Sequence, residues 1–319
     1  MYAFHTEGFN GYAVQYSPFI DSRLAVASSA NFGLVGNGRL YILGLTPQGI
    51  QFEKKFDTQD GLFDCSWSEL HENQIVVASG DGSIKLFDVA LKDLPLSNWR
   101  EHKREVFSVH WNLIQKETFC SSSWDTTVKI WHPTRPNSLH TFQGHTACVY
   151  QALFSPHDPH IIGSCSGDST FRTWDERTGS QGISFVAHPN SEVLAFDWNK
   201  YKPGLVHTAG VDRSIKTWDI RNTARELCIF RGHDYAIRKV VSSPHFADVI
   251  ASASYDMTVR VWHDMPPQGP VIGMGRQEKV WGMHQEFVVG LDWSLFGSGG
   301  WLATCGWDEK VYAFDAFAN

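Results

Sequence analysis

Long apolar runs are missing from this chain of 319 residues, and none approaches the ~18 residues that a helix needs to cross a bilayer. The opening stretch MYAFHTEGFN carries neither a basic segment nor an apolar one, so a secretory leader is not expected. Positive charge is in deficit: 27 Lys and Arg stand against 34 Asp and Glu, a net charge of −7. Affinity for nucleic-acid phosphates rests on clustered positive charge, so no nucleic-acid partner is expected. The six cysteines form no C-x-x-C pair, which argues against a zinc ribbon or a thioredoxin-type motif, and there is no N-x-S/T sequon. Free thiols in the cytosol, or in an organelle that takes up folded cytosolic proteins, are the simplest reading. G-x-S-x-G, G-x-x-x-x-G-K-[ST] and H-E-x-x-H are absent. Helical periodicity is almost absent as well.

What the chain does have is a repeat. Hydrophobic residues at 42% and aromatics at 13% mark it as folded. Short alternating runs such as SIKLFD, TVKIWH, SIKTWDI and TVRVWH read as strands with one packed face. The turn before each run carries Asn37, Asp81, Asp125, Asp168, Asp212, Asp256 and Asp308, at steps of 44, 44, 43, 44, 44 and 52 residues. His102, His145, His188, His233 and His284 lie 23 or 24 residues ahead of five of these. W-D follows at Trp174-Asp175 and Trp218-Asp219, with weaker versions at Trp131, Trp262, Phe87 and Phe314.

The period, the His, the turn Asp and the Trp together resemble the WD-repeat family along the whole chain. Each repeat of that family is a four-stranded blade, so seven units imply an all-β, seven-bladed β-propeller filling residues 1–319 as one domain. Blades 1 and 2 lack the histidine, and blade 1 has Asn37 for Asp. The last repeat ends near Phe314 without an outer strand, and residues 2–6 (YAFHT) are expected to supply it and close the ring. The long stretch DMPPQGPVIGMGRQEKV before blade 7 reads as a surface loop. The resemblance implies that each repeated histidine hydrogen-bonds within its own blade. Histidines spread around a ring cannot converge on one ion, so neither a metal nor a cofactor is expected. No catalytic residue is assigned, although propellers can host enzymes.

Function has to come from residues that the repeat does not require. If the innermost strand a starts at one face of the ring, strand b returns to it. The loop leading into strand a and the b–c turn therefore share a face, and the former rims the central opening. Counting back six or seven residues from the ends of strand a at Trp67, Trp111, Trp198 and Trp293 gives Asp60, Glu105, Glu192 and Glu286. Blade 4, ending at Phe154, has no such acid, and Arg104 stands beside Glu105 to neutralise part of its charge. The b–c turns place Gly80, Trp124, Gly167, Val211, Tyr255 and Trp307 just before the repeated Asp. Trp124, Tyr255 and Trp307 are expected at exposed turn positions, where apolar surface marks a binding site. Carboxylates beside aromatics describe a receptor for a short peptide that is basic at one point and apolar along one side.

Beyond the generic repeat, the segments NGYAVQYSPF, NFGLVGNGRLYIL, TQDGLFD, REVFSVHWN, CVYQALFSPHD, SASYDMTVRVW and GWDEKVYAF resemble the receptors for the type 2 peroxisomal targeting signal. That resemblance implies an import receptor that binds an amphipathic Arg-Leu-x5-His/Gln-Leu helix at the amino terminus of cargo such as thiolase-like matrix enzymes. It implies a co-receptor peroxin, docking at the peroxisomal membrane through that co-receptor, and a cytoplasmic receptor that cycles to the peroxisome. It assigns the signal's arginine to Asp60 and Glu105. Trp124, Tyr255, Trp307, Glu192 and Glu286 are then expected to contact the groove or the co-receptor. The competing expectations are a generic WD-repeat scaffold for a multiprotein complex and, less favoured, a propeller hydrolase or isomerase.

Overall fold

Residues 1–34, 36–91, 94–265, 272–297 and 299–318 are described by a computed structural model of the chain. Alternating sequence becomes strand almost everywhere, and the strands fall into seven sheets whose neighbours are antiparallel apart from one short parallel pair. The innermost strands are Asn10–Tyr16, Leu62–Trp67, Val106–Trp111, Val149–Phe154, Val193–Trp198, Ile237–Ser242 and Val288–Trp293. Each packs against the next, and Val288–Trp293 returns to Asn10–Tyr16, so the sheets are blades of a closed ring. Blade 7 takes its outermost strand from the other end of the chain. Tyr2–His5 pairs antiparallel with Lys310–Asp315, with Tyr2 opposite Ala313 and His5 opposite Lys310.

The apolar core is divided among the blade interfaces rather than pooled. Between blades 1 and 2, for example, Leu40, Ile42 and Phe56 meet Trp67, Ile75 and Phe87, all nearly or fully buried. The repeated polar residues hold each blade together. In blade 4, His145 Nδ1 lies 2.9 Å from Asp168 and its Nε2 2.8 Å from Ser164 Oγ, which also accepts the Trp174 indole N–H at 2.8 Å. His102, His188, His233 and His284 repeat this with Asp125, Asp212, Asp256 and Asp308. Burial works against the Asp125 carboxylate, but hydrogen bonds from His102, Thr127 and the Lys103 backbone outweigh it and hold its pKa below the ordinary value. The histidines are thus spent on local structure. Blade 2 lacks the histidine, and Asp81 is held instead by Ser83 and Arg100.

In the stretch expected to be a loop before blade 7, the described residues are mostly strand. Residues 266–271 lie outside the described residues, but Gly273–Met274 pairs parallel with the outer strand of blade 5. Arg276–Trp281 forms the outer strand of blade 6, opposite Val259–His263. An outermost strand buries little, so RQEKV carries no apolar alternation to betray it.

Side chains of the innermost strands also latch one blade to the next. Asp197 accepts the Ser242 N–H at 2.8 Å, Asp292 the Tyr16 N–H at 2.8 Å, and Gln15 the Trp67 N–H at 2.7 Å. Asp64 does the same for the N–H of Val109 at 3.0 Å.

Candidate functional site

In blades 2 to 7 the backbone joins the b–c turn to the loop leading into strand a. The N–H groups of Gly80, Trp124, Val211, Tyr255 and Trp307 donate to the carbonyls of Gly61, Glu105, Glu192, Ala236 and Phe287 at 2.9–3.1 Å. The face deduced from strand parity is therefore one surface, and at its centre lies a concavity of about 560 Å³. Asp60, Glu105, Glu192, Trp124, Tyr255 and Trp307 all line it. Glu286 does not: it is exposed on the blade 7 loop, outside the lining.

The acids sit on the side formed by blades 2 to 5. Asp60 is half-buried, with Oδ1 accepting the Gly61 N–H at 2.7 Å. A Cβ at Gly80 would come within 3.1 Å of that oxygen, so glycine at this turn leaves the carboxylate open to the concavity. Glu105 forms a loose pair with the exposed Arg104 at 3.4 Å, as expected, and Arg104 also lies over the Trp124 ring. Glu192 is exposed and accepts the Tyr150 hydroxyl at 3.0 Å. Burial first, and then the neighbouring Glu192 charge, pushes the Tyr150 pKa well up, so it remains a donor.

The aromatic side runs through blades 6, 7 and 1, and blade 3 adds Trp124 and Phe107 among the acids. Here the expectation of exposed turn aromatics needs correction, because Trp124, Tyr255 and Trp307 are each half-buried. Tyr255 stacks on Phe287 with centroids 4.6 Å apart, and Trp307 packs against Phe287 at 5.2 Å, Phe32 at 5.5 Å and Tyr12 at 5.8 Å. Trp124 stacks on Phe107 at 5.2 Å. A large ring at a turn gains more by covering neighbouring rings than by standing in water, and it still offers one face to a ligand. The indole N–H groups of Trp124 and Trp307 are buried with no acceptor among the described residues.

Two groups of residues escaped the sequence reading. The first is the b–c connection of blade 1, between the strands Arg23–Ser29 and Gly38–Thr46, with a 3-10 turn at Ala30–Gly33. Asn31 (φ 51°) and Phe32 (φ 55°) are left-handed, a region that residues other than glycine rarely occupy. The loop is held there by Phe32 N–H to Asn10 Oδ1 at 2.8 Å and by the Tyr12 hydroxyl to Phe32 O at 2.7 Å. It presents Phe32 (48% exposed) and Leu34 (82% exposed) to the concavity. The glycines of NFGLVGNG were the available signal. The second group is the bulge that breaks the register of strand a in every blade, at Phe107 between Val106 and Ser108, for instance. These bulge residues all line the floor of the concavity. They lie four residues before the end of strand a, and aligning that position would have found them.

Four stretches, residues 94–132, 136–175, 179–219 and 224–263, match the family model of the WD domain, G-beta repeat. With seven blades in a closed ring, six of four strands and one of five, the chain belongs to the WD-repeat β-propellers. The peroxisomal targeting signal 2 receptor of Saccharomyces cerevisiae is 42% identical over 99% of this chain and 99% of its own. The mouse peroxisomal targeting signal 2 receptor is 43% identical over 97% of this chain and 94% of its own, and peroxisome biogenesis protein 7 of Arabidopsis thaliana is 44% identical over 96% and 95%. Within the propellers, the chain belongs to the peroxisomal targeting signal 2 receptors, a family of receptors and not of enzymes. No helix among the described residues is long and apolar enough to cross a membrane.

Proposed function

We propose that this chain, with residues 1–319 acting as one propeller, captures the amino-terminal type 2 signal of cargo destined for the peroxisomal matrix. The observation that carries this reading is the placing of Asp60, Glu105 and the aromatic residues around one concavity. An Arg-Leu-x5-His/Gln-Leu segment folds as an amphipathic helix and lies across the opening. Its arginine reaches the Asp60 and Glu105 carboxylates, where charge-assisted hydrogen bonds contribute roughly 1.5–3 kcal/mol each. Its leucines lie toward Trp307, Phe32 and Leu34, in the manner of a helix seated in a groove.

A short helix buries little surface and loses entropy on ordering, so the receptor alone binds weakly. A co-receptor peroxin closes over the outward face of the helix and slows its release. The co-receptor then brings the complex to the docking machinery at the peroxisomal membrane, and the receptor cycles between cytoplasm and peroxisome. Glu192 and the half-buried Trp124 and Tyr255 serve the groove or the co-receptor edge.

Titration calorimetry with purified receptor, co-receptor and a signal peptide tests this. Asp60→Ala or Glu105→Ala is expected to weaken peptide binding by about 2 kcal/mol. Unchanged affinity in both variants removes the arginine site. No retention of the peptide even with co-receptor present favours a general scaffold.

A further inference from the structure

The floor of the concavity is a ring of seven equivalent positions, the bulge residues of the innermost strands. Six are uncharged: Tyr12, Phe63, Phe107, Tyr150, Leu194 and Val289. The seventh, in blade 6, is Arg238. It is only 8% exposed, yet it lines the concavity. One of its nitrogens donates to the Leu194 carbonyl at a long 3.4 Å, and the guanidinium carbon lies 4.8 Å from the centre of the Phe107 ring. Among the described residues it forms no ion pair, and the Leu194 carbonyl is its one side-chain hydrogen-bond acceptor. A guanidinium has five N–H donors in a fixed fork, so most of its capacity is unspent on the protein. The orphaned indole N–H groups of Trp124 and Trp307 stand in the walls above.

The rim therefore offers acceptors and the throat offers donors. The buried Asp64 carboxylate in the hollow beneath offsets part of the Arg238 charge without bonding to it, so a ligand that is only a cation with an oily side still leaves most of the Arg238 donors without an acceptor. We propose that Arg238 is a specificity-determining residue that receives an oxygen acceptor of the bound peptide. That oxygen is either a side-chain carboxylate or a carbonyl from the last turn of its helix, where four carbonyls have no partner and the helix dipole is negative. The occupant is then oriented end to end: cationic group at blades 2 and 3, acceptor oxygen over the throat beneath blade 6. This rests on the signal-peptide reading above, and Asp60 serves as the internal control.

The test is fluorescence anisotropy of a labelled type 2 signal peptide with the full chain and co-receptor. Receptors carry Arg238→Met, Arg238→Lys or Asp60→Asn, and peptides carry either their acidic side chains or the corresponding amides. Arg238→Met is expected to weaken binding roughly tenfold or more, with Arg238→Lys recovering part of the loss, because the charge returns without the fork. If the acceptor is a carboxylate, the amide peptide loses affinity for the wild type and none further for Arg238→Met. If it is a carbonyl, the amide peptide behaves like its parent on both receptors. A merely structural arginine lowers the melting temperature but leaves affinity unchanged in the folded fraction, which overturns the inference. Should Arg238→Met fail to fold, Arg238→Lys at full wild-type affinity for both peptides overturns it equally. Asp60→Asn weakening the peptide while both Arg238 variants bind normally leaves the receptor reading standing and removes this one. A wild-type chain that ignores the peptide removes both.

Discussion

The two halves of the innermost strands make an instructive pair. Toward one face each strand carries a bulge residue that belongs to the site, and among the described residues the ring of bulges makes only two blade-to-blade polar contacts, the Tyr150 hydroxyl on Glu192 and the long Arg238–Leu194 bond. Toward the other face the same strands carry Gln15, Ser66, His110, Asp197 and Asp292, each accepting a backbone N–H of the next blade. That far mouth is a smaller hollow of about 170 Å³, crossed by Lys200 and Lys239. One strand therefore builds a receptor at its beginning and a fastener at its end. Polar groups spent on closing the ring are unavailable to a ligand, and the bulge, which breaks the ladder, frees a side chain to face outward.

Substitutions at the two ends should separate stability from binding. The largest effect is expected for Asp197→Ala, because Asp197 accepts the N–H groups of Trp198 and Ser242 and the Lys200 ammonium, all at 2.8 Å. Removing it should cost about 3 kcal/mol in denaturant unfolding, while peptide affinity of the folded protein stays within twofold. Asp60→Ala should do the reverse, losing about 2 kcal/mol of peptide binding with less than about 0.5 kcal/mol of stability, since among the described residues its carboxylate accepts only the adjacent Gly61 N–H. Trp307→Ala should blur the comparison. The ring packs on Tyr12, Phe32 and Phe287, so we expect about 1–2 kcal/mol lost from unfolding and weaker ternary-complex formation in pull-downs.

The smallest effect is a pH dependence confined to the far end. Burial raises the Asp292 carboxyl to about 7, against the opposing influence of the Tyr16 N–H, Lys239, the Trp293 N–H and Lys200. Between the unfolded value near 4 and this raised value, the native chain holds a proton that the unfolded chain has lost. This group's contribution to stability therefore falls as pH rises through that window and is fully lost above about 7. Asp292→Asn should remove that slope and gain about 1 kcal/mol on the wild type between pH 5 and pH 8, after allowance for screening by channel water. Denaturation curves at several pH values would show it, and parallel curves for the two proteins would remove it.

Much of this was legible in the residues. The 43- or 44-residue step and the recurring His, Asp and Trp give the blades, and the missing outer strand of the last repeat points to YAFHT. Strand parity put Asp60, Glu105 and Glu192 on one face because parity follows from covalent order alone. Glu286 came from the same counting and lies outside the lining, since counting fixes a loop but not where its side chains turn. Trp124, Tyr255 and Trp307 were found but read as freely exposed. Their burial depends on Phe107, Phe287 and Tyr12, ring partners whose proximity pattern alone does not reveal.

By itself the sequence determined how many blades there are, where each begins and which face each loop reaches, because these follow from a period and from the alternation of strand direction. Tertiary structure alone decided that the bulge residues of seven separate strands meet as one floor, that the left-handed loop of blade 1 leans over it, and that Arg238 stands there nearly unpaired. Those relations join residues up to a whole chain apart, and only closing the ring brings them within reach of one another.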